Sequence, residues 1–375
     1  MQETILKQDL LEDIKNEANG FRFGEIWKLS NKALGALIPI LRHKDFKRSY
    51  IMIEELDKKD YQVVDSGNIS QIKLKVKKAL NKPIFIRTGN MFEGKGTQSR
   101  ANEFSIVITP EEQEEEIIIP ARCVHASHPI SGGAGFERYG YAPREVLNSL
   151  FSGSGQSRVW ASVSRSSARL YKMTGTSSRA EEPITGGFSD SMIGNIKEIK
   201  KSKSKISDII KKVPCLENQV GIVIFDENGV SNIEVFDHPG SWKAFHESII
   251  ESYSDILSKE QKEQLFELKK ENVPKKIKEF IESMYDAKEN KAFDNKSAST
   301  YIFRNNSIIG EYTILNDGII HLLSTRKENE DIEGTGQRPG DFRIISMPSS
   351  STGTGIIYTG RAYERRPPIV TFLSV

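Results

Sequence analysis

The chain has 375 residues, 37% of them hydrophobic, with 53 Lys and Arg against 51 Asp and Glu and a formal net charge of +2. That apolar content supports one large core or two smaller ones. The charge balance excludes a histone-like polycation and an acidic disordered chain, and two cysteines exclude both a disulfide scaffold and a zinc site built from thiolates alone.

Residues 1–20 read as a charged helix with Ile5, Leu10, Leu11 and Ile14 on one side, ended by Gly20. Residues 1–45 are therefore expected to form an N-terminal helical arm, with 1–20 suited to docking on a partner protein. The first residues lack a basic stretch followed by an apolar one, so no secretory signal is expected. The longest nearly apolar run, Ala33 to Leu41, has nine residues, against the ~20 that cross a bilayer. With Cys123 far from Cys215, the expected setting is the cytoplasm, without membrane contact.

From Tyr50 to Pro120 short β-rich runs, such as Ile72–Val76, Ile84–Ile86, Phe104–Ile108 and Ile117–Ile119, alternate with Asn, Gly, Asp and Pro. The acidic run Glu111 to Glu116 reads as a solvated turn. Residues 152–190 shift to Ser, Gly and Arg and are expected as loop; within them, Val159 to Arg165 fits helix or strand, and periodicity does not decide. Ile193, Ile196, Ile199, Ile206, Ile209, Ile210 and Val213 predict one amphipathic helix stopped by Pro214. Val220 to Phe236 predicts a hairpin turning at Asn228-Gly229, and 310–323 a second one turning at Asn316-Asp317-Gly318. Between them, Ser241 to Tyr285 reads as helix interrupted at Pro274. His321 sits in an apolar strand and is expected as a satisfied core histidine. The fold class is α+β, with β-rich N- and C-terminal halves of antiparallel hairpins packed with a helical middle segment. The core spans 46–325, and 326–375 form a Gly/Ser/Arg-rich tail.

Four segments carry possible chemistry. In Glu93-Gly94-Lys95-Gly96-Thr97-Gln98-Ser99-Arg100, glycines permit close approach of backbone to a ligand, while Lys95, Gln98 and Arg100 supply donors to an anion. The spacing is not that of a Walker A loop, and a plain hairpin tip is the alternative. In Pro120 to Pro129, Cys123 lies near Arg122 and His125, as an activated thiol would. Cys123, His125 and His128 fall short of a metal site for want of a fourth ligand, and a buried structural cysteine is the alternative. Between Arg122 and Arg179 lie eight basic residues and two acidic ones. Arg158 and Arg165, with Gln156 and Trp160, point to phosphate or a nucleic-acid backbone, unless acids elsewhere pair with these arginines. Finally, Asp237 and His238 before Pro239-Gly240 offer an acid and a base, or else Asp237 or Ser241 caps the following helix.

Phe92 to Arg100 looks like a Glu-x-x-Gly-x-x-Gln-Asn-Arg loop with slightly altered spacing and Ser99 in place of Asn. Ile119 to His125 is similar to a segment that ends Val-Ser-Cys-Val-Glu, with His125 replacing the acid. Asn218 to Val223, followed by Val235 to Pro239, resembles a Gln-Val-Gly strand and a Phe-Asp-x-Pro turn. In order and spacing, these segments resemble a prokaryotic domain family described as ADP-ribosylglycohydrolase and rhodanese-phosphatase associated protein, over roughly residues 45–325. The resemblance implies genomic company with ADP-ribose and nucleotide-processing proteins and carries over no catalytic residue.

The combined expectation is a binding or regulatory protein for a phosphate-bearing small molecule, a nucleotide or an ADP-ribose-like ligand. In that reading Glu93, Lys95, Gln98, Arg100, Arg122, Cys123, His125, Gln156, Arg158 and Arg165 line one cleft. The alternatives are a nucleic-acid binder using the same arginines and the basic tail, a hydrolase or transferase with a Cys123 nucleophile, and a scaffold for partner proteins. No cofactor follows from the sequence, and no metal is expected.

Overall fold

The computed structural model describes residues 2–44, 47–125, 130–151, 155–174, 180–181, 188–189, 191–201, 205–257, 259 and 270–327. Residues 1–180 and 190–327 form one compact unit. Of residues 181–189 and 328–375, which lie outside it, Glu181 and the strand Phe188–Ser189 are described. The tail expected from 326 onward thus lies almost wholly outside the described residues.

The larger unit is built on an eight-stranded antiparallel sheet, ordered Phe21–Phe23, Ala36–Arg42, Gln219–Asp226, Gly229–Phe236, Gly318–Arg326, Ile308–Leu315, Ala298–Arg304, Lys288–Asp294. Its central strands are buried on both faces, which explains why they read as near-continuous apolar runs. Both expected hairpins are present: Gly229 turns with φ +112°, and Asn316 with φ 54°.

One face of the sheet is covered by the helices Gln2–Lys15 and Val273–Glu282. The N-terminal helix is part of this core and not a free arm: Leu11 and Ile14 are buried, and Lys7 is wholly enclosed, bonding the Met284 carbonyl and pairing with Glu289. Only Ile5 of its expected apolar side stays exposed. Pro274 begins its helix instead of breaking one, because a first-turn residue needs no backbone N–H partner. Val159 to Arg165 lie in the helix Gln156–Thr174, with Val159, Ser162, Val163 and Ser166 turned inward. The segment 193–213 forms two helices, Met192–Lys201 and Lys205–Lys212.

The other face carries the helix Pro239–Ser252 and a small three-stranded layer, Ile51–Met52, Ile84–Ile86 and Ile106–Ile108. Alternation with period two sends Phe85 and Val107 toward the sheet and Ile84, Ile86, Ile106 and Ile108 toward a second core. That second core fills a closed six-stranded barrel of Glu116–Cys123, Gln71–Val76, Tyr61–Asp65, Gly135–Tyr141, Asn90–Gly94 and Arg100–Asn102. Phe92, Leu74, Ile119 and Val63 occupy its interior, so it is packed and not a ligand tube.

Where the three-stranded layer meets the long sheet, four fully enclosed ionisable groups converge. Arg87, just after Ile84–Ile86, grips Glu234 through Nε at 2.5 Å and Nη2 at 2.9 Å. His321 Nε2 lies 3.0 Å from Glu234 Oε1, and its Nδ1 faces Glu311 Oε1 at 3.8 Å. Glu311 accepts from the backbone N–H (3.1 Å) and the hydroxyl of Ser105, just before Ile106–Ile108. His321 is thus a core histidine bonded through Nε2, as its strand led one to expect, and it stands at the middle of an ionic cluster. Burial alone would raise Glu234, but the Arg87 charge and the bonds from His321 and Arg87 hold it at about 2. Burial lowers the His321 pKa, so its Nε2 carries the proton that Glu234 accepts.

Burial lifts Glu311 to about 7 from an ordinary value of 4.5, against the bonds from Ser105. The folded chain keeps this proton where the unfolded chain releases it, so the stability it confers is complete below about 4.5 and lost as pH rises to about 7. In Glu311→Gln this component vanishes: between pH 4.5 and 7 the urea midpoint of the variant should fall less, or rise more, than that of the parent, and parallel pH profiles would refute the assignment. Arg87→Met strands a buried carboxylate and should cost roughly 3–5 kcal/mol in urea unfolding. Arg87→Met with Glu234→Met should recover part of that loss; a double variant no more stable than the single would show that charge is not what matters there.

Candidate functional site

The expected ligand-binding residues divide into three groups. Five of them, Gln98, Arg100, Cys123, His125 and Gln156, meet at one end of the barrel. The reason is register: Cys123, last in its strand, pairs with Arg100, first in its own. The strand Tyr61–Asp65 ends at the same place, bringing Asp65 to Arg100.

Arg100 is fully buried. Its Nη1 donates to the Gln98 carbonyl at 3.1 Å and to Gln98 Oε1 at 3.0 Å, and its Nη2 stands 3.7 Å from Asp65 Oδ2. Among the described residues neither Nε nor Nη2 makes a hydrogen bond. Asp65 accepts instead from the Thr97 hydroxyl and from the Gly67 N–H at 2.8 Å, and Thr97 Oγ1 accepts from the Ser131 N–H at 3.0 Å.

Cys123 is enclosed beside this guanidinium. The Gln156 amide, first in its helix, clamps the Cys123 backbone in both directions, accepting from its N–H at 2.9 Å and donating to its carbonyl at 2.7 Å. The thiol donates to the His125 carbonyl at 2.9 Å. Burial pushes its pKa up, and the nearby Arg100 only partly offsets this. The sulfur is a protonated donor, the opposite of what a nucleophile needs. His125 bridges to Ser191 through its backbone.

The second group, Glu93 and Lys95, lies on the hairpin whose tip is 95–99. Gly96 takes φ +81°, and a Cβ on Gly94 would fall 2.1 Å from the Thr97 carbonyl oxygen. The turn itself thus requires both glycines. Glu93 pairs with Lys197, and Lys95, half exposed, reaches Glu93 at 3.5 Å and Glu137 at 3.4 Å.

The third group stays apart from Arg100. Arg122 lies on the alternate side of its strand and pairs with Glu103, while Arg158 and Arg165 are exposed on the outer face of their helix. Other arginines of the 122–179 stretch also have internal acids: Arg138 bonds Glu54 at 3.1 Å, and Arg144 bonds Ser231 at 2.7 Å beside Asp226. His128 lies outside the described residues, and among the described residues no group of three His, Cys, Asp or Glu could hold a metal ion.

Sequence reasoning passed over Asp65, which sits at the end of a short β-rich run, and named Thr97 only as part of the glycine motif. It also passed over Tyr50, whose buried hydroxyl bonds Asp237 and, at 2.8 Å, Ser241. Burial raises Asp237 to about 6. The helix after it is capped by neither Asp237 nor Ser241 but by His238, whose Nδ1 accepts from the Gly240 N–H at 2.9 Å.

A family model for the ARG and Rhodanese-Phosphatase-superfamily-associated Protein domain matches residues 21–325. The chain belongs to this family. The match starts at the edge strand Phe21–Phe23 and stops one residue before the strand Gly318–Arg326 ends, so it takes in the whole sheet and the barrel but not the N-terminal helix. No curated protein and no solved structure matches the chain.

The contrast between the enclosed Cys123 and the exposed Cys215 is directly measurable. In the native protein a thiol-reactive chromogen should titrate one cysteine, retained in Cys123→Ala and lost in Cys215→Ala, with the second reacting only in denaturant. Fast native labelling of Cys123 would return it to the list of nucleophiles.

Proposed function

We propose that this protein binds a phosphate-bearing ligand, a nucleotide or an ADP-ribose-like molecule, with Arg100 receiving an oxyanion at the end of the barrel. The observation that carries this reading is a fully buried guanidinium with two nitrogens that make no hydrogen bond among the described residues. Buried donors in native proteins are satisfied, and leaving one unmet costs about 1–3 kcal/mol, so two nitrogens that no described residue bonds are suited to an acceptor on a ligand. A planar fork suits phosphate or carboxylate oxygens. The first turn of the helix Gln156–Thr174, fixed to Cys123 by Gln156, adds the positive end of a helix dipole. Because the thiol is held protonated, the reading is binding and not covalent catalysis.

Arg158 and Arg165 on the outer helix face support a second reading, a nucleic-acid surface. It is recognised by affinity for oligonucleotides that falls steeply with salt.

Thermal-shift and calorimetric titration of the full chain with ADP-ribose, AMP and inorganic phosphate tests the first reading. At least one of them should raise the melting temperature, since a ligand of the native state stabilises it. Arg100→Lys, which keeps the charge and loses the fork, should weaken binding at least tenfold, whereas Cys123→Ala should leave it intact. Binding unchanged in Arg100→Lys, or absent for all three ligands, overturns the proposal.

A further inference from the structure

At the far end of the long sheet, three cations gather where no described carboxylate pairs with them. Lys288 opens the last strand, Arg304 closes its neighbour, and the two stand directly opposite in register, so their side chains share a face. Like charges placed opposite one another in an antiparallel pair repel. Among the described residues neither has an ion-pair partner, whereas Lys291, three residues along the same strand, has Asp294 at 3.2 Å. Lys327 joins them from beyond the strand Gly318–Arg326, its ammonium lodged on the Asn305 carbonyl.

These residues line a cleft of about 510 Å³, completed by Asn306, Ser307 and a lone acid, Asp286. Its floor is a braced turn. Asn305 Oδ1 accepts from the N–H groups of Ser307 (2.9 Å) and Ile308 (3.0 Å), its Nδ2 donates to the Ser283 carbonyl at 2.6 Å, and the Lys327 N–H donates to the Ser307 carbonyl at 2.8 Å. The volume is within the range of small-molecule sites, and the lining offers cationic and neutral donors on a hydrogen-bonded frame.

We propose that this cleft is a second anion site, which takes a phosphate or diphosphate group between Lys288, Arg304 and Lys327. The bound anion relieves the cross-strand repulsion that the free protein carries. The site is independent of Arg100, which lies on the barrel, so either can fail without the other.

Calorimetry of the full chain with inorganic diphosphate and, separately, with ADP tests it, using Arg100→Lys as the background so that the barrel site does not contribute. Saturable binding that weakens with added salt is expected in the diphosphate arm. ADP binding of equal strength assigns the site to the phosphates of nucleotides, and failure of ADP to bind assigns it to the free anion. Lys288→Glu with Arg304→Glu should reduce affinity at least tenfold. Both positions are exposed, so the melting temperature should hold; as a milder check, Arg304→Gln alone should give an intermediate loss. No binding in either arm, or affinity unchanged in the doubly reversed variant, overturns the proposal.

Discussion

The Arg87–Glu234 pair determines how the two halves of this molecule meet. The layer Ile84–Ile86 lies between two apolar cores, and apolar contacts alone would let it slide, since burial is non-directional. Two parallel hydrogen bonds from one guanidinium to one carboxylate do not tolerate sliding. Burying both charges carries a desolvation cost that weakens the pair as a source of stability, and its contribution is to position. Glu311 and Ser105 repeat the arrangement one strand beyond the central strand Gly318–Arg326, this time with a hydroxyl and an amide as donors, and His321 on that central strand spans the gap. The barrel layer is thereby tied to the sheet at two points in a defined register.

That tie has consequences for where a ligand can go. The barrel interior is filled, and the ionic cluster leaves no exposed surface, so neither offers a cavity. Outside them lie a cleft of about 310 Å³ beside Ile117, Ile118 and Pro120 and the end of the barrel, where Arg100 and Cys123 are brought side by side by strand register and Gln156 locks the backbone. A cysteine in that setting is a small, protonated packing group that also donates a hydrogen bond. The guanidinium beside it has bonding capacity to spare among the described residues, as does the indole N–H of Trp160.

Much of the fold was legible because it rests on local chemistry. Asn228-Gly229 and Asn316-Asp317-Gly318 form hairpins wherever they are flanked by apolar runs, and the closing of the turn needs nothing distant. The cysteine motif and the glycine motif, read separately in the sequence, come together where Cys123 pairs with Arg100. Pro274 was misleading because the same ring that breaks a helix interior is suited to its first turn. Val159 to Arg165 escaped because Ser162 and Ser166 stand at helical positions that a purely apolar pattern does not register. The ionic cluster left a trace, Glu234, Glu311 and His321 each set within an apolar strand, but a trace without its partner. Arg87 lies 147 residues from Glu234, and no spacing rule spans that distance.

The same difficulty governed the arginine-rich stretch. As a string of residues it looks like one basic surface, yet Arg122 meets Glu103, 19 residues away, and Arg138 meets Glu54, 84 residues away. A guanidinium that enters a protein interior does so with its counter-ion, so density of arginine in sequence says little about density of uncompensated charge in space. The useful measure is compensation. By that measure Lys288 and Arg304, unremarkable in sequence and 16 residues apart, are less compensated than Arg122, Arg138 or Arg144, because strand pairing sets them face to face and among the described residues neither has an ion-pair partner.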